Sequence, residues 1–341
     1  MTGILYALIS AALFGLSAPL SKLLLGAVSP WLLAGLLYLG SGLGLFAARR
    51  FYRSEETRLQ RADLPWFAGA VIAGGIVGPV LLMFGLARAT AAEASLLLNL
   101  ESVLTLGLAW LVFRENVDRR LFIGAVAIVV GAVILSWPQD IAIGFDWGPL
   151  LIAGACLAWA VDNNLTRKVS ASDPMQIAMV KGLVAGSVNV ALAFSLGTEM
   201  PAATTLVMAA IVGFLGYGVS LTLFVLALRH LGTARTGAYY ALAPFIGAGT
   251  AILFLHEPVT AGFIAGGFLM AVGLWLHLTE RHEHEHEHAP MEHEHLHVHD
   301  AHHRHAHEAD AGPEPHAHRH RHEHLVHKHP HYPDLHHRHG H

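Results

Sequence analysis

Ten apolar stretches of about 20 residues, separated by short polar or Pro/Gly-marked breaks, fill the first 278 residues of this 341-residue chain. A hydrocarbon layer about 30 Å thick takes about 20 helical residues to cross. Lipid leaves backbone polar groups no outside partner, which restricts spans of this length to helices. The chain is therefore predicted to be an all-α membrane protein of ten transmembrane helices, at 3–25, 30–48, 64–87, 91–112, 117–136, 147–166, 174–196, 202–228, 233–255 and 259–278. Met1-Thr2-Gly3 runs straight into the first stretch without a basic leader or a small-residue cleavage site, so that stretch reads as a retained span. The single cysteine, Cys156, lies inside an apolar stretch and reads as a packing residue; no intramolecular disulfide can form.

Charge sets the direction. With the N-terminus in the cytoplasm, twelve basic residues fall on inside loops, from Arg49 and Arg50 to Arg229 and Arg235, and only Arg88 falls on an outside loop. The positive-inside rule then places both termini in the cytoplasm.

The chain also repeats itself. A shift of 142 positions lays Phe113-Arg114-Glu115-Asn116-Val117 on Leu255-His256-Glu257-Pro258-Val259, and carries Gly107, Gly124 and Gly131 onto Gly249, Gly266 and Gly273. A similar shift lays Phe14-Gly15-Leu16-Ser17 through Ser29-Pro30 on Trp159-Ala160-Val161-Asp162 through Asp173-Pro174. Each half has five spans, and an odd number forces the second copy into the membrane upside down. Inverted repeats are the architecture of carriers that work by alternating access around a midplane site. The predicted units are 1–139 and 140–281, two five-helix repeats, followed by a disordered cytoplasmic tail, 282–341.

These features resemble the EamA family of the drug/metabolite transporter superfamily: Phe14-Gly15-Leu16-Ser17-Ala18 in the first span, Ser29-Pro30 opening the second, and a small-residue helix ending in a Glu before the last helix of each half. The stretch from Leu242-Ala243-Pro244-Phe245 to Leu255-His256-Glu257-Pro258 carries the resemblance furthest. Two positions depart from the family pattern: Leu36-Leu37-Tyr38 replaces an early basic residue, and Ser102 stands where the ninth span has Pro244. The resemblance implies an exporter of small metabolites in the cytoplasmic (inner) membrane.

Ionisable groups within a span are costly, about 2.5–3.5 kcal/mol each on insertion scales, and mark pathways. Glu101, with Asn99 nearby, lies mid-helix in the fourth span; Asp162, followed by Asn163 and Asn164, lies in the sixth; Lys181 is in the seventh; Glu93 is near the outer end of the fourth. Lys181 reaches either acid, and Asp162 is preferred because a short loop joins the two spans; such a pair serves either as a structural lock or as part of the pathway. Glu101 has no necessary neutraliser, so it is the group expected to bind and release a proton during transport. Tyr239 and Tyr240 are expected to line the site, whereas Trp159 and Tyr217 read as interface anchors. Glu115 and Glu257 are expected to cap helix ends.

The last 60 residues hold 24 of the 27 histidines, with 5 basic and 11 acidic residues. His282, His284, His286 and His288, then His293, His295, His297 and His299, alternate with other residues. Neutral imidazole ligates zinc, nickel and copper, and two-residue spacing lets an extended chain bring two rings to one ion. The tail is thus expected to bind divalent metal (Zn, Ni or Co), while the spans require no cofactor. A purification tag would show six consecutive histidines, and the longest runs here are two. No nucleophile-and-base arrangement, phosphate loop or nucleic-acid signature is present, so an enzyme is not expected. The expected partners are a small-molecule substrate, the lipid bilayer and metal ions, with homodimer formation left open. Export of a small metabolite leads; the alternatives are divalent-metal export fed by the tail, and a membrane-anchored metal store.

Overall fold

The computed structural model describes residues 2–51, 59–113, 119–137, 146–169 and 172–279, and four short segments of the tail, 283–288, 291–297, 316–322 and 325–330. The chain divides into two units, Met1–Glu280 and Arg281–His341. Glu115 and the expected repeat boundary at 139/140 lie outside the described residues.

The described residues of the first unit form helices joined by short turns and loops. Its spans begin with α1 (Thr2–Leu24) and α2 (Pro30–Arg49). The third is composite: α3 (Leu64–Ala70), a π-helical segment (Val71–Val77) and α4 (Gly78–Arg88). The fourth is broken: α5 (Ala91–Leu97), a turn at Leu98-Asn99, then α6 (Leu100–Phe113). There follow α7 (Arg119–Leu135), α8 (Gly148–Thr166) and α9 (Pro174–Ser195). The eighth span repeats the third, with α10 (Ala203–Gly213), a π-helical segment (Phe214–Val219) and the start of α11 (Ser220–Tyr240). After α11 come α12 (Ala243–Leu255) and α13 (Ala261–Leu278).

The run α11 cannot be one straight helix. The rings of Phe224 and Tyr240 lie 4.7 Å apart, whereas 16 residues of straight helix would separate them by about 24 Å. The run therefore doubles back, so its first part completes the eighth span and its last part opens the ninth. A turn at Ala241-Leu242, just before Pro244, then separates it from α12. The shift of 142 carries Leu98-Asn99 onto Tyr240-Ala241, so the two repeats break their fourth span within one residue of the same place. Both also carry a π-helical segment at the same place in their third span.

Seven of the described helical runs are long and apolar enough to cross a membrane by length and composition. The exceptions each have a cause. The fifth span is 17 residues, the sixth carries Asp162-Asn163-Asn164, and α12 is 13 residues because it is only half of a broken span.

The repeat shows in how equivalent helices meet. A Cβ added to Gly131 would lie 2.7 Å from the Gly266 carbonyl oxygen, and one added to Gly124 would lie 2.8 Å from that of Gly273. Those four glycines are the ones the sequence repeat pairs. They meet crosswise, early in one helix against late in the other, which is antiparallel contact between equivalent helices. Gly35 and Gly42 of α2 pack in the same sense against Val190 and Leu183 of α9. Small residues let helix backbones approach where lipid supplies no hydrophobic drive between helices.

The matched Ser29-Pro30 and Asp173-Pro174 turn out to be the same device. Ser29 Oγ accepts the Leu32 N–H at 3.3 Å, and Asp173 accepts those of Met175 and Gln176 at 2.9 and 3.3 Å. In each case Pro follows at the first helical position, where its missing N–H costs nothing. Asp173 also pairs with Arg49 at 2.8 Å, joining the two equivalent helices at one face.

In the tail unit, β1 (Glu283–His288) pairs antiparallel with β4 (Leu325–Pro330), and β2 (Met291–His297) with β3 (His316–His322). The extended pairing of these short described segments follows from the period of the sequence. Alternation every second residue is strand periodicity. In this register Glu292 and Glu294 stand opposite Arg321 and Arg319, and Glu285 opposite Lys328. Two-stranded ladders with no apolar face have little to hold them, which agrees with the expected disordered tail.

Candidate functional site

The irregular segments are where the polar groups gather. In the third span, the π-helical segment frees backbone carbonyls from their usual partners, and three other spans supply donors. The Tyr38 hydroxyl donates to Gly74 O at 2.7 Å, Trp159 Nε1 to the same oxygen at 2.9 Å, and Asn189 Nδ2 to Gly75 O and Ile76 O at 3.3 and 3.4 Å. Trp159 and Tyr38 are 6% and 8% exposed. The reading of Trp159 as an interface anchor is thus corrected: its N–H has a buried partner that only the π segment provides.

Against this segment lies the ion pair. Lys181 Nζ stands 2.6 Å from each Asp162 oxygen, and Thr166 Oγ1 donates to Asp162 Oδ1 at 2.8 Å. Gly74 makes room for it, because a Cβ there would overlap the Asp162 carboxylate. Lys181 takes Asp162 as its partner rather than Glu101.

Glu101 sits in the first turn of α6, immediately after the break in the fourth span. Asn163 Nδ2 donates to its Oε1 at 2.8 Å, and the same amide lies 3.5 Å from Thr105 Oγ1. Asn163, in the last turn of α8, is exposed. Asn99 is placed differently: it is buried and donates to Leu96 O at 2.8 Å, while Ser102 Oγ donates to Asn99 O at 2.8 Å. The Asn99 amide is thereby occupied with closing the break. Cys156 approaches the Leu97 and Leu98 carbonyls at 3.7 and 4.0 Å, so it too serves the break.

An aromatic run crosses between the repeats. Phe224 meets Tyr240 at 4.7 Å, Tyr240 meets Phe14 at 5.6 Å, Phe14 meets Tyr217 at 6.0 Å, and Tyr217 meets Tyr38 at 5.5 Å. These are ordinary separations for attractive ring pairs. Phe14, Tyr217, Phe224 and Tyr240 are half-buried, as is Tyr239. Tyr217 is an interior residue rather than an anchor. Sequence reasoning gave no site role to Tyr38, Phe224, Asn189 or Gly74. A usable signal was the glycine pairs Gly74-Gly75 and Gly216/Gly218 at matching places in the two third spans.

One face of the bundle is latched by charges. The α12 helix ends at His256 in the left-handed region, φ 53°, and the turn sends Glu257 back to the start of α5. There its two oxygens accept the Ala91 and Ala92 N–H groups at 2.8 and 2.7 Å. Thr90 and Glu93 complete a capping box on the same helix, so Glu93 is a cap rather than a pathway group. Lys22 Nζ donates to Leu86 O and Ala89 O at 2.7 Å each, capping α4. Glu257→Gln is expected to cost about 2 kcal/mol, because a charged acceptor of two end-of-helix N–H groups is lost. Thermal unfolding in detergent checks it.

Of the expected metal ligands, His284, His286, His288, His293, His295 and His297 fall in the tail strands; His282 and His299 lie outside the described residues.

The EamA-like transporter family model matches residues 1–137 and again residues 146–279. The chain belongs to the EamA-like transporter family. An "Uncharacterized transporter" of Methanothermobacter thermautotrophicus is 30% identical over 282 residues, covering 77% of this chain and 82% of the relative. A "Probable amino-acid metabolite efflux pump" of Salmonella typhimurium is 27% identical over 296 residues, covering 80% and 93%. A solved crystal structure matches with a TM-score of 0.61 at 19% identity, over 81% of this chain and 96% of that one, which supports the fold of this EamA-like transporter.

Proposed function

We propose that this EamA-like transporter is a carrier, not an enzyme, that exports a small organic metabolite across the cytoplasmic membrane, with both termini inside. Alternating access around the repeat interface exchanges the cargo for a proton held at Glu101. The observation that carries this reading is Glu101 itself. It is an acidic side chain inside a span, at the head of a half-helix, and its partner is the neutral amide of Asn163. Discontinuous helices at a repeat interface are where carriers place their sites. The Salmonella relative's name supports an organic cargo and an outward direction.

The tail binds divalent metal (zinc, nickel or cobalt) and senses or buffers it at the inner surface. Supporting this, the histidines alternate with other residues, a spacing that lets an extended chain turn two rings onto one ion.

The test is uptake into inside-out vesicles at fixed pH, using a labelled mixture of amino acids and amines and, in parallel, labelled zinc, nickel and cobalt. The full chain, a chain ending at Arg281 and Glu101→Gln are compared. Organic uptake should survive truncation and fall to the empty-vesicle background in Glu101→Gln; Asn163→Ala should lower it about tenfold, the worth of one hydrogen bond to a charged group. Metal uptake that needs Glu101 and weakens without the tail would instead make the metal the cargo.

A further inference from the structure

We propose that the site of this carrier selects organic cations, meaning molecules with one protonated or quaternary amine on an apolar body. The inference rests on the carrier reading above and adds the charge class of the cargo.

The acidic and basic side chains described beside the irregular segments are Glu101, Asp162 and Lys181. Lys181 and Asp162 cancel each other at 2.6 Å, and Thr166 occupies Asp162 further. Glu101 is left with the Asn163 amide, a donor with no charge, so among the described residues the site holds one net negative charge. A lone charge in a span is unfavourable. The empty carrier can meet it with a proton, and a loaded carrier meets it with a positive group on the cargo. The positive end of α6 is not free to attract an anion, because Glu101 already occupies its first turn.

The aromatic run favours the same class of cargo independently of charge. The Tyr38 hydroxyl bonds Gly74 O, Gly74 lies against the Asp162 carboxylate, and the next residue, Asn163, holds Glu101; Tyr217, Phe14 and Tyr240 continue the run of rings from Tyr38. Ring faces attract ammonium groups and repel carboxylates, the more so away from water. Rings and one carboxylate together describe a receptor for an amine with an apolar body. An anion would meet Glu101, and Lys181, the base described beside it, is held by Asp162. A zwitterion would have to draw Lys181 off Asp162 to place its carboxylate.

Three probes with one apolar body separate these cases: 2-phenylethylammonium, zwitterionic phenylalanine and 3-phenylpropanoate. Binding of each to the purified full chain in nanodiscs is measured by calorimetry at pH 7. The ammonium probe should bind about tenfold more tightly than the zwitterion, with the anion weakest. Glu101→Gln should abolish that order, and Glu101→Asp, which keeps the charge, should retain it. Melting curves establish that each variant is folded. Equal or tighter binding of phenylalanine or phenylpropanoate overturns the proposal. So does persistence of the cation preference in folded Glu101→Gln, or failure of all three probes to bind. Tight cation binding without movement of the bound probe in vesicles would overturn the carrier reading and leave the charge selectivity standing.

Discussion

Lys181→Met, made alone, is expected to destabilise the helical unit by about 3–5 kcal/mol, the cost of leaving a buried charge without its partner. Asp162 is 6% exposed, both its oxygens lie 2.6 Å from Lys181 Nζ, and no other basic group contacts it among the described residues. Asp162→Asn should cost a similar amount from the other side, by stranding Lys181. The double variant Asp162→Asn/Lys181→Met removes both charges, and most of the stability should return, since a buried pair replaced as a unit is often neutral. Unfolding midpoints of the three variants measure this. Transport by the double variant then sorts the roles: near-normal uptake makes the pair a lock between α8 and α9, and lost uptake with restored stability places it in the pathway.

Gly74→Ala should be the most damaging single methyl addition in the third span. The added carbon would overlap the Asp162 carboxylate, and relief requires moving either the ion pair or the π-helical segment. Moving the segment would strain four hydrogen bonds at once, from Tyr38, Trp159 and Asn189. Overpacking of this kind costs about 1–3 kcal/mol, and losing buried hydrogen bonds adds to it. Gly107→Ala is the control: nothing lies within 4 Å of its added carbon, so stability should hold or rise slightly through helix propensity. Comparable loss in both variants would show that the contact between Gly74 and Asp162 is not the cause.

The two predictions draw on different levels of information. That Lys181 and Asp162 would find each other was readable from one dimension: a short loop joins their spans, and neither charge tolerates lipid alone. The glycines that meet crosswise in α7 and α13 were readable as a repeat, because two helices of one pattern packing antiparallel need small residues at matching steps. Glu257 as a cap was readable from its place at a helix end. Gly74 was not readable as a contact for Asp162, which is far away in the chain. Tyr38 and Trp159 were not readable as partners of one carbonyl, because the oxygen they share is freed only by a change of helix type.

Sequence by itself determined membrane residence, helical secondary structure and two matching halves, because apolar run length, backbone satisfaction in lipid and small-residue spacing are local properties that any solvent-blind reading captures. Only tertiary structure decided that the third and eighth spans take up a π-helical segment and the fourth and ninth break. A regular helix keeps every carbonyl to itself, and departing from it becomes affordable only when other spans bring donors to the freed oxygens. Those donors, Tyr38, Trp159, Asn189 and Cys156, come from three other spans, and their meeting is a property of the packed bundle.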